Sequence, residues 1–211
     1  MAQKFELFHY WRSSCSWRVR WALEIKGISY SSTAVDLKVG AQKDHSYLAK
    51  APSGMVPCLL IDGNPLSDSI SIIEWLDETQ KGPKLLPTNP WDRAKVRELT
   101  GMIASNTQPV QNLHVLQAID RLGGDRVQWA RSNIAKGLKS YEEAIRQTQG
   151  SFSMGSQITL ADLCLIPQVY NAHRFGVDMS RVPNCEAIYQ RALKIPSCER
   201  SAPHNQPGAT P

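Results

Sequence analysis

The sequence predicts an α/β domain followed by an all-helical one, the α/β plus all-α class. Residues 1 to about 80 alternate short apolar strands with helical segments in the order β-α-β-α-β-β-α. Residues 81–90, Lys-Gly-Pro-Lys-Leu-Leu-Pro-Thr-Asn-Pro, have the composition of a linker. Beyond them the apolar period is helical almost throughout. A chain of 211 residues can bury a sizeable core as one domain or as two small ones. The change of period across the linker favours two, residues 1–82 and 91–211.

The first strand is the apolar-alternating segment from Phe5 to Tyr10. A helix follows from Val19 to Lys26, with Gly27 as its stop. Tyr30 to Leu37 can form the second strand, and a second helix is placed around Gln42 to Lys50. Met55 to Ile61 reads as the third strand. Asp62-Gly63-Asn64 then marks a hairpin turn into a short fourth strand through Leu66. Ser67-Asp68-Ser69 caps a helix from Ile70 to Glu78. After the linker the clearest helices are Trp91 to Ala104, Val127 to Thr148 and Thr159 to Ala172, with another over Cys185 to Lys194. Thr159 and Asp162 have the T-x-x-D spacing of a capping box. The last ten residues read as an extended tail.

Composition narrows the function. No apolar run approaches the roughly 18 residues that cross a bilayer, and the N-terminus has no signal-peptide core, so a cytosolic location is the default. The five cysteines are odd in number and show no C-x-x-C spacing, which suggests neither a disulfide framework nor a zinc site. A formal charge of +5 from scattered basic residues suits anionic small molecules better than nucleic acid.

The most informative segment is Arg12-Ser13-Ser14-Cys15-Ser16-Trp17-Arg18-Val19-Arg20. Two serines and a cysteine occupy a strand-to-helix turn, where free N–H groups and the positive end of a helix dipole favour a thiolate or small anion. Alternatively the serines only cap the helix. Pro57 begins an apparently central strand, where a residue without an N–H needs a reason. Either its peptide bond is cis and turns backbone groups toward a ligand, or it is a trans proline at an edge. Asp68 and Ser69 offer a carboxylate, a hydroxyl and free N–H groups to a ligand with both ammonium and carboxylate, or they simply cap. Gln108, Pro109, Gln111, Asn112 and His114 interrupt a helical region with polar groups that suit a cleft. Arg174, at the end of an apolar helix, suits either a substrate carboxylate or a structural ion pair.

Taken together, these segments resemble the glutathione transferase superfamily: a thioredoxin-like glutathione-binding domain with Val56-Pro57 and Asp68-Ser69, then an all-helical domain. The Ser13-Ser14-Cys15 motif is similar to that of the zeta class, as are Gln108-Pro109-Val110-Gln111-Asn112, the run from Ala161 to Ala172, and Gln206-Pro207. Asp68 departs from that pattern, which usually has glutamine there. The resemblance covers nearly the whole chain and implies a cis bond at Pro57, glutathione as cofactor, and a homodimer. It also implies a cis-trans isomerisation of a diketo acid such as maleylacetoacetate or maleylpyruvate, by thiolate addition, rotation and elimination. A conjugase or peroxidase on the same fold is the alternative. A non-catalytic module fits less well with an intact Ser-Ser-Cys and Asp-Ser. By resemblance Ser13 donates to the glutathione sulfur, with Ser14 and Cys15 as supporting or rival groups. Gln42, Val56, Asp68 and Ser69 hold glutathione, as do Gln108, Asn112, Leu113 and His114 from the helical domain. Arg12 and Arg174 bind substrate carboxylate. No metal is implied.

Overall fold

A computed structural model of the chain describes residues 3–209. Its strands are β1 (Phe5–His9), β2 (Ser31–Ala34), β3 (Cys58–Ile61) and β4 (Asn64–Ser67). Its α-helices are α1 (Ser14–Lys26), α2 (His45–Leu48), α3 (Ser69–Thr79), α4 (Pro90–Gly101), α5 (Leu113–Arg121), α6 (Arg126–Ile145), α7 (Leu160–Arg174), α8 (Pro183–Ala192) and α9 (Pro196–Ser201). Contacts divide them into two compact units. One runs up to Lys84 and resumes at Ile195; the other is Leu85–Lys194.

In the first unit the sheet order is β2-β1-β3-β4. β1 pairs parallel with β2 and antiparallel with β3, and β3 pairs antiparallel with β4. The alternation predicted for β1 is observed: Phe5, Leu7 and His9 are buried, and the residues between them are partly exposed. The β3–β4 hairpin closes through Asp62 and Gly63, both at positive φ (51° and 86°), the conformation a two-residue hairpin loop requires.

Helix α1 begins at Ser14, earlier than the sequence reading had it. The Ser13 side chain takes the Ser16 N–H, so the helix closes immediately after Ser13, and Ser14, Cys15 and Ser16 form its first turn. α1 is buried nearly all round, including Trp17, Arg18, Arg20 and Trp21. That marks a central helix rather than an amphipathic surface one. Gly27 ends it in the left-handed conformation at φ 65°.

The strand expected over Tyr30 to Leu37 pairs only along Ser31–Ala34, at the sheet edge. The expected helix at Gln42 to Lys50 is a 3-10 turn, Ala41–Lys43, then α2, separated by the extended Asp44. The Met55–Ile61 strand pairs only from Cys58, because Pro57 has no N–H to give the ladder.

The C-terminal segment also differs from the sequence reading, which placed all of 91–211 in the helical domain and its last ten residues in an extended tail. From Ile195 onward the chain packs with the first unit. The indole N–H groups of Trp17 and Trp21 donate to Ser201 (3.1 Å) and Ser197 (3.2 Å), and Arg20 Nε donates to the Ser201 carbonyl at 2.9 Å. Buried indoles need such acceptors, and α9 supplies them. Pro203–Asn205 forms a 3-10 turn, and Gln206 Nε2 bonds back to the carbonyls of Arg200 and Ala202. The end of the expected tail, residues 210–211, lies outside the described residues.

In the second unit a core of Val96, Ile103, Ile134, Leu138, Leu163, Ile166 and Val169 is sealed from solvent. α4 continues into a π-helical segment, Met102–Thr107, and then a 3-10 turn, Pro109–Gln111. α5 was not anticipated as a separate helix. The capping box of α7 is present. Buried Asp162 accepts from the Thr159 N–H (2.8 Å) and hydroxyl (3.1 Å) and from the Ser153 N–H (2.8 Å). Burial pushes the Asp162 carboxyl up, against the pull of those bonds. Glu142 plays the same part for α8, accepting the N–H groups of Asn184 and Cys185 at 3.0 and 2.9 Å.

Candidate active site

The first unit brings several of the sequence-predicted residues together at the starts of α1 and α3. Ser13 is the N-cap of α1, and its Oγ accepts from the Ser16 N–H at 3.2 Å. A hydroxyl has two lone pairs and one proton. Capping uses a lone pair and leaves the proton available to an anion. The capping and functional readings of Ser13 are therefore compatible. Ser14 is buried in the first helical turn, and Cys15 beside it is partly exposed. Arg12 lies over the Trp11 ring, 5.2 Å from its centroid.

Asp68 is the N-cap of α3, exposed and at φ 75°. Its Oδ1 accepts from the N–H groups of Ile70 (3.0 Å) and Ser71 (2.9 Å) and from the Ser71 hydroxyl (3.1 Å). At ψ 123° this backbone lies outside the left-handed helical well, and the three local bonds to Oδ1 hold it there. Ser69 is buried as the first residue of α3.

The Val56–Pro57 peptide bond is cis, the geometry the resemblance implied. Val56 precedes β3, and the carbonyl of its neighbour Met55 accepts from the Tyr47 hydroxyl at 2.6 Å. Burial raises the Tyr47 hydroxyl well above its ordinary range, which keeps it a neutral donor. Gln42 lies close by: a side chain added at Gly54 would come within 3.3 Å of the Gln42 carbonyl. Gly54 itself is at φ 62°, so glycine is demanded twice over. The buried Gln42 Oε1 has no hydrogen-bond partner among the described residues.

The sequence places Arg18 in the Arg12–Arg20 segment without assigning it a role. The structure gives it a specific place. Fully buried, its Nη1 donates to Cys15 Sγ at 3.7 Å and to Ser69 Oγ at 3.3 Å. The spacing of Cys15 and Arg18, three apart on one helix, was the signal available for half of this. The link to Ser69, from 51 residues away, had none.

A second buried arginine was also missed. Arg20 donates from Nη1 to the Tyr10 carbonyl (3.4 Å) and from Nη2 to that of Trp11 (3.0 Å), fixing the strand-to-helix turn. Its Nη1 lies 3.2 Å from His9 Nδ1. Arginine only donates, so Nδ1 accepts and the imidazole is neutral. Burial and then the Arg20 charge hold His9 down at about 4. Burial likewise lowers Arg20, to about 9.

In the second unit Gln108 is buried directly after the π-helical segment, and its Nε2 donates to Asn112 Oδ1. Asn112 caps α5 in extended conformation, and Leu113 and His114 are exposed on its first turn. Gln111 turns the other way, donating to the fully buried Gln168 at 2.6 Å. Arg174 ends α7, exposed, with Nη1 donating to Asn171 Oδ1 at 2.7 Å and its guanidinium over the Phe175 ring.

Comparison with known proteins agrees with this geometry. Residues 12–79 match the family model "Glutathione S-transferase, N-terminal domain". The maleylacetoacetate isomerase of Dictyostelium discoideum is 42% identical over 213 residues, covering 99% of this chain and 97% of that one. A crystal structure of maleylacetoacetate isomerase from Anaeromyxobacter dehalogenans, with dicarboxyethyl glutathione and citrate in its active site, has a TM-score of 0.89 and 39% identity, covering 100% of this chain and 96% of that one. The holo structure of a bacterial maleyl pyruvate isomerase, a zeta-class glutathione transferase, has a TM-score of 0.93 and 33% identity, covering 97% and 100%. With this identity sustained along both full lengths, the chain belongs to the maleylacetoacetate isomerase family, the zeta class of glutathione transferases.

Proposed function

We propose that this chain is a glutathione-dependent cis-trans isomerase that converts maleylacetoacetate to fumarylacetoacetate, a step of tyrosine and phenylalanine breakdown. The observation that carries the reading is the Ser13 hydroxyl, engaged as an acceptor by the Ser16 N–H at 3.2 Å and left with a proton to donate at the positive end of α1. Such a donor set favours a thiolate over a thiol near neutral pH.

The rest of the first unit fits glutathione by its chemistry. Val56 presents backbone N–H and C=O groups to a peptide. Exposed Asp68 suits the ammonium of a γ-glutamyl end, and Ser69 its carboxylate. Gln42, in the 3-10 turn whose backbone approaches Gly54, joins this set by the family pattern. When bound, glutathione supplies the thiolate for reversible addition to the conjugated cis double bond, so that rotation occurs about a single bond. Ser13 holds the sulfur as an anion before addition and receives it again on elimination. Ser14 and Cys15 support that turn. Arg12 and Arg174 attract substrate carboxylate with planar cations. Gln108, Asn112, Leu113 and His114 follow the family pattern for glutathione.

The dicarboxyethyl glutathione of the Anaeromyxobacter relative supports thiol addition to a small dicarboxylate as family chemistry. Maleylpyruvate is the second substrate, favoured by the maleyl pyruvate isomerase neighbour; general conjugation or peroxide reduction on the same fold is the remaining activity to compare. The chain is proposed to work as a homodimer in the cytosol. Among the described residues no helix is long and apolar enough to cross a membrane. A spectrophotometric isomerase assay on both maleyl substrates, with and without glutathione, tests the reading. Turnover that requires glutathione without consuming it supports it; stoichiometric loss of the thiol, or turnover without glutathione, overturns it.

A further inference from the structure

We infer that Arg18 is a positioning residue for the anionic end of glutathione, acting through Ser69. The inference rests on the glutathione reading above and adds a residue to it. Arg18 is buried to 1% exposure, and its Nη1 serves two acceptors that belong to different helices. One is Cys15 Sγ at 3.7 Å, in the first turn of α1; the other is Ser69 Oγ at 3.3 Å, at the first residue of α3.

The donor and acceptor inventory gives this contact a direction. Guanidinium has no acceptor, so Ser69 Oγ must accept from it. Once that lone pair is used, the Ser69 proton is oriented away from Arg18. Its natural acceptor is an anion at the α3 N-terminus, where the helix dipole also favours negative charge. Asp68 Oδ1 accepts from the N–H groups of Ile70 and Ser71 and thereby holds the same turn. Without Arg18 the Ser69 hydroxyl is free to rotate and to spend its proton elsewhere. Arg18 also connects the two turns on which the thiol end and the γ-glutamyl end of one ligand depend. A change in the hold on either turn reaches the other through one side chain.

The experiment is isothermal titration of the full chain with two probes. One is glutathione. The other is γ-aminobutyryl-cysteinylglycine, which lacks only the α-carboxylate of the γ-glutamyl end. Arg18→Met is expected to weaken glutathione about tenfold, the scale of one hydrogen bond to a charged group, and to leave the decarboxylated probe within about twofold. Ser69→Ala is expected to do the same, and Arg18→Met added to Ser69→Ala to cost about twofold or less, because the pair acts as one unit. Arg18→Lys keeps the charge with shorter reach and should recover part of the loss. If Arg18→Met does not fold, Arg18→Lys carries the same comparison with an expected loss of about threefold. Equal weakening of both probes, or a full Arg18 effect in the Ser69→Ala background, overturns the inference. Failure of the unsubstituted protein to bind glutathione refutes the glutathione reading instead, and is told apart because no substitution enters it.

Discussion

The Ser13 hydroxyl accepts the Ser16 N–H at 3.2 Å, so the residue that starts α1 is also the leading donor candidate of the site. The two roles separate by substitution. Ser13→Ala should lower unfolding free energy by about 1 kcal/mol through the lost cap, while Ser13→Gly should cost only a few tenths. Denaturant midpoints at constant m-value check this. Because both variants lack the hydroxyl, both should lose activity to a similar degree. Activity that tracks stability, with Ser13→Gly near normal, would reduce Ser13 to a cap.

His9 gives the protein an acid-sensitive core. Its folded-state value, about 4, lies below the ordinary 6.5. The unfolded chain therefore binds the extra proton between those limits, so stability is fully present above about pH 6.5 and is lost as pH falls toward 4. The linkage amounts to about 3 kcal/mol at most. His9→Gln keeps a polar acceptor for Arg20 and has no such titration. Its unfolding free energy should vary less between pH 4 and 6.5 than that of the unsubstituted protein. Parallel pH profiles for the two proteins would contradict the assignment.

Asp162 is the buried anchor of the α7 start, accepting from Thr159 twice and from Ser153. Asp162→Ala leaves two buried N–H groups without acceptors and should destabilise by about 2–4 kcal/mol. Asp162→Asn retains one carbonyl oxygen and should cost less. Chemical denaturation measures both. A loss below about 0.5 kcal/mol for Asp162→Ala would mean that the network is replaced by water.

Much of this organisation was legible because it is written locally. The β1 alternation, the Asp62-Gly63 turn, the Gly27 stop and the Thr159–Asp162 box each depend on residues within a few positions. Even the start of α1 was misplaced only within the same segment, at Val19 rather than Ser14. The misreading arose because a row of hydroxyls offers several caps and only the amide of Ser16 shows which is used. What stayed hidden is long-range. The return of α9 to the first unit depends on the indoles of Trp17 and Trp21 finding Ser201 and Ser197, and six residues carry too little periodicity to reveal it. The same holds for Arg18 and Ser69, and for Gln111 and Gln168. Each is a pairing of buried polar groups across 51 or more positions, and no spacing in the chain encodes it. Pro57 is intermediate: the residue looked out of place in its strand, and only family resemblance said why.

The central claim is that Ser13, at the head of α1, assists a glutathione thiolate in the isomerisation. Turnover of Ser13→Ala and Cys15→Ala, compared at saturating glutathione with maleylacetoacetate as substrate, tests it most directly. Losing one donor to an anion should reduce Ser13→Ala turnover by roughly 10² to 10³, with glutathione affinity largely kept. Cys15→Ala should lose distinctly less, because its thiol is not the nucleophile. Near-normal turnover in Ser13→Ala beside an inactive Cys15→Ala would contradict the account and make Cys15 the catalytic group.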